Sequence, residues 1–172
     1  MKNENIIFTT KFSTPLSEMF AAYFKGELIM FTPFEKEFCE KRIENLKKFL
    51  KANKVIEDKN IFKLLEKEIN EYFLKKRTNF TIPLKLIGTP FQIRVWEALL
   101  KIPYGKTISY KEEAKMIENE KAFRAVANAN GKNNLSIIVP CHRVISNNGE
   151  IGGYTGGIEK KEFLLKLEQN DK

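Results

Sequence analysis

Cys141, His142 and Arg143 are consecutive, and a thiol beside an imidazole and a guanidinium can become a nucleophile. The thiolate is the reactive form, and a nearby base or cation lowers the pKa that governs it. His142 is the only histidine, so any step needing an imidazole must use it. Adjacency also sets a limit. Neighbouring side chains point to opposite faces of a strand and about 100° apart on a helix. A bridging water is therefore the natural relay between Cys141 and His142. The imidazole then needs a carboxylate to fix its tautomer. Glu159, Glu162 and Glu168 near the C-terminus are candidates, and spacing alone does not choose among them.

The second cysteine, Cys39, is far from the first and lies beside Phe38 in an amphipathic stretch. That setting predicts a packing thiol. Two separated cysteines and one histidine cannot assemble the usual structural zinc site. No metal and no cofactor are expected. Two cysteines are also too few for a disulfide framework. The first residues, Met1 to Asn5, precede no long apolar stretch, so no secretory leader is expected. The longest apolar runs, such as Leu28–Phe31, are far short of the ~18 residues of a membrane span. A cytoplasmic protein with free thiols and no membrane partner is the expectation.

The elements that must hold these residues divide at about residue 85, into 1–85 and 86–172. In the first part, Asn5–Thr10 reads as a strand. Glu18–Phe24 and Glu27–Thr32 flank Lys25-Gly26, a hairpin signal. Phe34–Lys51 has helical spacing, and so does Ile61–Lys76, with Ile61, Leu64, Leu65, Ile69, Tyr72 and Phe73 inward. Thr78–Thr89 reads as extended, and Pro83 argues against a central strand there. Lys75-Lys76-Arg77 reads as a solvated helix end.

In the second part, Thr89-Pro90 opens a helix whose face carries Phe91, Val95, Trp96, Leu99 and Leu100. Ser109 and Glu112 form a capping box for the next helix, which runs to about Ile117. A polar turn leads to Lys121–Asn130, with Gly131 as its cap. Two short helices across a tight turn suggest a helix-turn-helix. Ala122, Ala125, Ala127 and Ala129 surround Arg124 on the second, and packing against the core is their simplest reading. Leu135–Val139 reads as a strand leading into Cys141. A turn at Asn147–Gly149, a glycine-rich loop at Gly152–Gly157 and a helix from about Ile158 to Glu168 complete the chain.

The 172 residues carry 30 basic and 22 acidic side chains, for a net charge of +8. With 42% hydrophobic residues this is an ordinary globular composition, not a disordered one. The basic excess favours a polyanion such as nucleic acid. It does not map the contact face. Residues 1–85 hold 17 basic and 12 acidic side chains, against 13 and 10 for the rest.

Pro140-Cys141-His142-Arg143-Val144 resembles the signature of the O6-alkylguanine-DNA alkyltransferases, the methylated-DNA–protein-cysteine methyltransferases. The resemblance covers nearly all of residues 88–168. It includes Gly88–Gln92 (GTPFQ), Ile102–Tyr110 (IPYGKTISY), Arg124–Val126 (RAV), Ile137–Ile145 (IIVPCHRVI) and Gly152–Gly157 (GGYTGG), in order and spacing. It implies an α+β chain: an N-terminal ribonuclease-H-like α/β domain, then a mostly helical winged-helix-type DNA-binding domain. It implies single-turnover repair, in which an alkyl group moves irreversibly from O6-alkylguanine in double-stranded DNA to Cys141. O4-alkylthymine is a second candidate substrate.

Further roles follow from the same resemblance. His142 would take the thiol proton through water, Glu168 would orient the imidazole, and Asn133 would brace the turn before the site. Tyr110 would crowd the target phosphate and reach the guanine edge. Arg124 would fill the stack when the base flips out. Backbone groups of Val144 and Thr155 would bind the flipped base, and Tyr154 would lie in the loop closing over it. A monomer is the expected state. Two other classes compete. A non-catalytic helix-turn-helix protein that binds damaged DNA would lack the cysteine present here. A cysteine hydrolase would need an oxyanion site and a direct Cys–His pair.

Overall fold

The computed structural model describes residues 4–154 and 156–169. It divides between Lys85 and Leu86 into two compact units. In the first unit, β1 (Ile6–Ser13), β2 (Glu18–Phe24) and β3 (Glu27–Pro33) form an antiparallel meander. Lys25 and Gly26 both have positive φ, 50° and 81°, as a two-residue hairpin turn with the right twist requires. β4 (Lys54–Glu57) adds to the free edge of β1 in parallel, giving the order β3-β2-β1-β4. A parallel pair needs a crossover, and α1 (Lys36–Leu50) supplies it. Glu35 caps α1 by accepting from the Glu37 and Phe38 amides. α2 (Lys63–Phe73) follows a 3-10 turn at Lys59–Phe62.

Several expectations for this unit are corrected. β4 was not foreseen, because all four of its residues are exposed and no buried alternation marks it. Leu65, Ile69 and Tyr72 do face inward, whereas Ile61 and Leu64 are exposed and Phe62 is buried in their place. The tighter 3-10 turn changes the rotational phase ahead of α2. The stretch after α2 meets the sheet at an isolated bridge between Leu28 and Leu84. There the Pro83 carbonyl accepts from Leu28, so the missing proline N–H costs nothing. Arg77 is not a solvated end. It pairs with Glu71 at 2.9 Å and lies 3.5 Å from the buried Glu68, which also accepts from the Thr81 amide and hydroxyl.

The second unit begins with α3 (Pro90–Leu99), capped by a Thr89–Gln92 box. The Trp96 indole on α3 donates to the Ala129 carbonyl at 2.9 Å. β5 (Ile108–Ser109) leads through the Ser109–Glu112 capping box into α4 (Tyr110–Met116). α5 (Phe123–Gly131) packs on both α3 and α4. β6 (Val144–Ile145) pairs in parallel with β5, and α6 (Ile158–Gln169) closes the unit. Gly131 lies inside α5 and Lys132 is the cap. Only Ala129 of the four alanines is buried; Ala125 is exposed.

Leu135–Val139 is not a strand. It is a buried turn in which Ile137 adopts a φ of 71°. That is an unfavourable conformation for a β-branched residue, at a cost of about 1–3 kcal/mol. Its apolar side chains are buried like those of a core strand, so composition alone misreads it.

Candidate active site

Cys141 opens a single 3-10 turn, Cys141–Arg143, that follows the strained turn and precedes β6. Asn133 holds this stretch from behind. Its Nδ2 donates to the Val139 carbonyl at 2.8 Å and to Cys141 Sγ at 3.3 Å, while its Oδ1 accepts from the Leu135 amide at 2.9 Å. One amide thus spans the turn and touches the sulfur.

His142 is fully buried. Its Nε2 lies 2.7 Å from Oε1 of Glu168 on α6, which selects Glu168 from the three glutamates left open by spacing. Arg143 is turned away from Cys141. It grips the same carboxylate through Nε at 2.9 Å and Nη2 at 3.0 Å, and donates from Nη1 to the Ile102 carbonyl at 2.7 Å. Burial alone would raise the Glu168 pKa, but His142 and Arg143 together hold it down to about 2. An ionised Glu168 accepts, so the neutral imidazole carries its proton on Nε2. Burial keeps that imidazole neutral, against the pull of Glu168. Nδ1 is then a buried acceptor with no hydrogen-bond partner among the described residues.

Arg143 thus makes a structural ion pair with Glu168, and the cation that acts on the thiol is Lys161. It is buried on α6 and donates from Nζ to the Val144 carbonyl at 2.6 Å and the Gly153 carbonyl at 3.1 Å. Burial pushes Cys141 up, while the Asn133 bond and the Lys161 charge pull it down. Burial lowers Lys161 to about 8, against the opposing pull of Cys141.

Cys141, Tyr110 and Tyr154 line one cavity of about 330 Å³, with α5 as the facing wall. Burial and the neighbouring sulfur push both phenols up. Gly152, at φ 76°, leaves room in the loop: a Cβ there would meet Ser146 Oγ at 2.8 Å and the Tyr110 hydroxyl at 3.4 Å. Arg124 does not line this cavity; it is exposed on α5, with its guanidinium 5.9 Å from the Phe123 ring centre. Thr155 lies outside the described residues. No group of three or more metal-ligating side chains occurs among the described residues. No described helix is long and apolar enough to cross a membrane.

Sequence reasoning missed Lys161, Glu113 and Asn130, although a signal existed. Lys161, Leu164, Leu165 and Glu168 share one helical face, as do Tyr110, Glu113, Ala114 and Ile117. A charged residue in an otherwise inward set marks a buried polar contact.

Residues 90–170 match the DNA binding domain of the 6-O-methylguanine DNA methyltransferases, and residues 35–86 match their ribonuclease-like domain. The chain is 49% identical over 119 residues to a methylated-DNA–protein-cysteine methyltransferase of Methanosarcina mazei, spanning 69% of this chain and 75% of that protein. The crystal structure of the Mycobacterium tuberculosis O6-methylguanine methyltransferase superposes with a TM-score of 0.85 at 37% identity, covering 96% of this chain and 94% of that one. A structure of Mycobacterium tuberculosis OGT in complex with DNA superposes at 0.82, with 38% identity and coverage of 96% and 93%. With its two domains in this order and a single cysteine facing the cavity of the second, the chain belongs to the O6-methylguanine-DNA methyltransferase family, the methylated-DNA–protein-cysteine methyltransferases.

Proposed function

We propose that the chain repairs double-stranded DNA by moving the alkyl group of O6-alkylguanine onto Sγ of its own Cys141, once per molecule. The observation that carries this reading is the cavity holding Cys141 beside Tyr110, with Asn133 on the sulfur and His142 held by Glu168 behind it. A base within a duplex hides its O6 substituent, so the nucleotide must flip out to meet the thiol.

The thiol proton leaves through a water to His142 Nδ1. The imidazolium that forms is stabilised by Glu168. The thiolate attacks the alkyl carbon, the carbon–O6 bond breaks, and its electron pair stays with the guanine, which takes up a proton. Lys161 and the Asn133 amide favour the thiolate beforehand. Tyr110 and Tyr154 line the space for the base, and the backbone of Val144 binds it. Arg124 fills the gap left in the stack. The protein acts as a monomer in the cytoplasm, with no cofactor. A thioether is not a leaving group for water, so Cys141 is not regenerated.

With excess methylated duplex, transfer should plateau at one methyl per chain, on the peptide containing Cys141. Cys141→Ala should abolish transfer and retain DNA binding, while Cys39→Ala changes little. Cys39 is buried in the first unit, 3.9 Å from the Thr32 hydroxyl. Repeated turnover, or a methyl on Cys39, overturns the reading.

A further inference from the structure

Glu113 is a fully buried carboxyl that the steps above do not use. It lies one turn after Tyr110 on α4. Its Oε2 accepts from Nδ2 of Asn130 on α5 at 2.7 Å. Asn130 is itself buried and lines the cavity that holds Cys141. The two remaining oxygens of the pair, Glu113 Oε1 and Asn130 Oδ1, are buried with no hydrogen-bond partner among the described residues. Both are acceptors. One proton on the carboxyl supplies the donor that this pair lacks, and a carboxylic acid and a primary amide are complementary in just that way.

Among the described residues, the nearby cations are engaged elsewhere or exposed. Arg94 on α3 donates to the Ile117 carbonyl at 2.5 Å. Lys161 on α6 is held by the Val144 and Gly153 carbonyls. Arg124 on α5, and Glu120 and Lys121 in the turn before it, are exposed. β5 and β6 offer no titratable group. The titratable groups that feel Glu113 are the Tyr110 phenol and the Cys141 thiol, and a charge on Glu113 would oppose the ionisation of both.

We propose that Glu113 and Asn130 form a neutral carboxylic acid–amide pair in the wall of the base cavity, and that this uncharged wall is a condition for the Cys141 thiolate to form. Glu113 is thus a positioning residue acting through Asn130 and through the charge it withholds. The proposal rests on the functional reading above for its purpose, though not for its test. Burial, opposed by the Asn130 bond, pushes Glu113 up to about 8, in keeping with a proton held at neutral pH. Two anions sharing a poorly solvated site cannot both form freely. Above about pH 8 the carboxylate and the thiolate therefore compete.

The test reads the thiol without DNA. Cys141 in the full-length chain is labelled with iodoacetamide from pH 6 to 10 and quantified by peptide mapping. Glu113→Gln stays neutral throughout and can form an amide–amide pair with Asn130. Its apparent Cys141 pKa should fall by about one unit, with labelling roughly tenfold faster in the alkaline range. Asn130→Asp places a second carboxyl in the pair, so one proton can no longer neutralise it. Labelling at neutral pH should slow by about tenfold. The wild-type infrared spectrum at pH 7, differenced against Glu113→Gln, should contain the carbonyl stretch of a protonated carboxylic acid, and that band should fade as pH rises through about 8. Absence of the band at pH 7, or superimposable labelling profiles for wild type and Glu113→Gln, overturns the proposal. If the wild type transfers no methyl group, the functional reading fails instead, and the labelling and infrared results still decide the state of Glu113.

Discussion

Arg143 and His142 share one carboxylate, and that arrangement divides their work. The fork of Arg143 fixes Glu168 in place, and the bond from His142, which with Arg143 keeps Glu168 ionised, sets the tautomer of His142. Removing Glu168 leaves a buried guanidinium without its partner, which costs about 3–5 kcal/mol. Glu168→Gln should lower stability by that amount at pH 7, measured by urea denaturation, and should shift thiol alkylation to higher pH. The sign with pH follows from the depressed Glu168 pKa. Its contribution is complete above the free carboxyl value near 4.5 and is lost as pH falls towards about 2, roughly 3 kcal/mol in all. His142 adds to the same slope, because a base whose pKa is lowered by burial stabilises the fold only above its free value. A Glu168→Gln protein with wild-type acid sensitivity would mean that the carboxylate is not the group responsible. The lone histidine made this cluster legible in the sequence. The direction of Arg143 was not, because adjacency in sequence says nothing of which way a 3-10 turn aims each side chain.

α4 and α5 present two faces with different tasks. Val126, Ala129 and Asn130 face inward on α5, while Arg124 and Ala125 are exposed. An exposed arginine beside a small exposed alanine suits close approach to a groove and entry of one long side chain into the stack. Arg124→Ala should therefore slow repair of duplex DNA by tenfold or more and leave reaction with the free base O6-benzylguanine nearly unchanged, since a free base needs no flipping. Equal losses on the two substrates would place Arg124 in the transfer step. Both helix starts were legible, Thr89 as a cap ahead of Pro90 and Ser109 through its capping box with Glu112. Elements without such a signal were missed or misread. β4 is an exposed edge strand, and Leu135–Val139 is an apolar turn bracketed by the side chain of Asn133.

The charge of the whole molecule is not arranged as its domains are. The half without the DNA-binding match carries 17 basic and 12 acidic side chains, more basic excess than the half with it. Phosphate neutralisation releases counterions, so the dependence of binding on salt counts the contacts, with a slope near −0.9 per phosphate on a log–log plot. Five exposed basic residues lie on α4, α5 and the turns beside them: Lys111, Lys115, Lys121, Arg124 and Lys132. If these make the interface, binding to an unmodified duplex should show a slope no steeper than about −4.5. Lys121→Gln should reduce it by about one, because each lost phosphate contact removes one released counterion. Lys47→Gln with Lys48→Gln, on the last turn of α1, should leave the slope where it was. A slope near −8, or a slope lowered by the α1 changes, would show that the phosphates are held by the ribonuclease-like unit as well. The basic excess of residues 1–85 would then be part of the interface rather than a solvated surface.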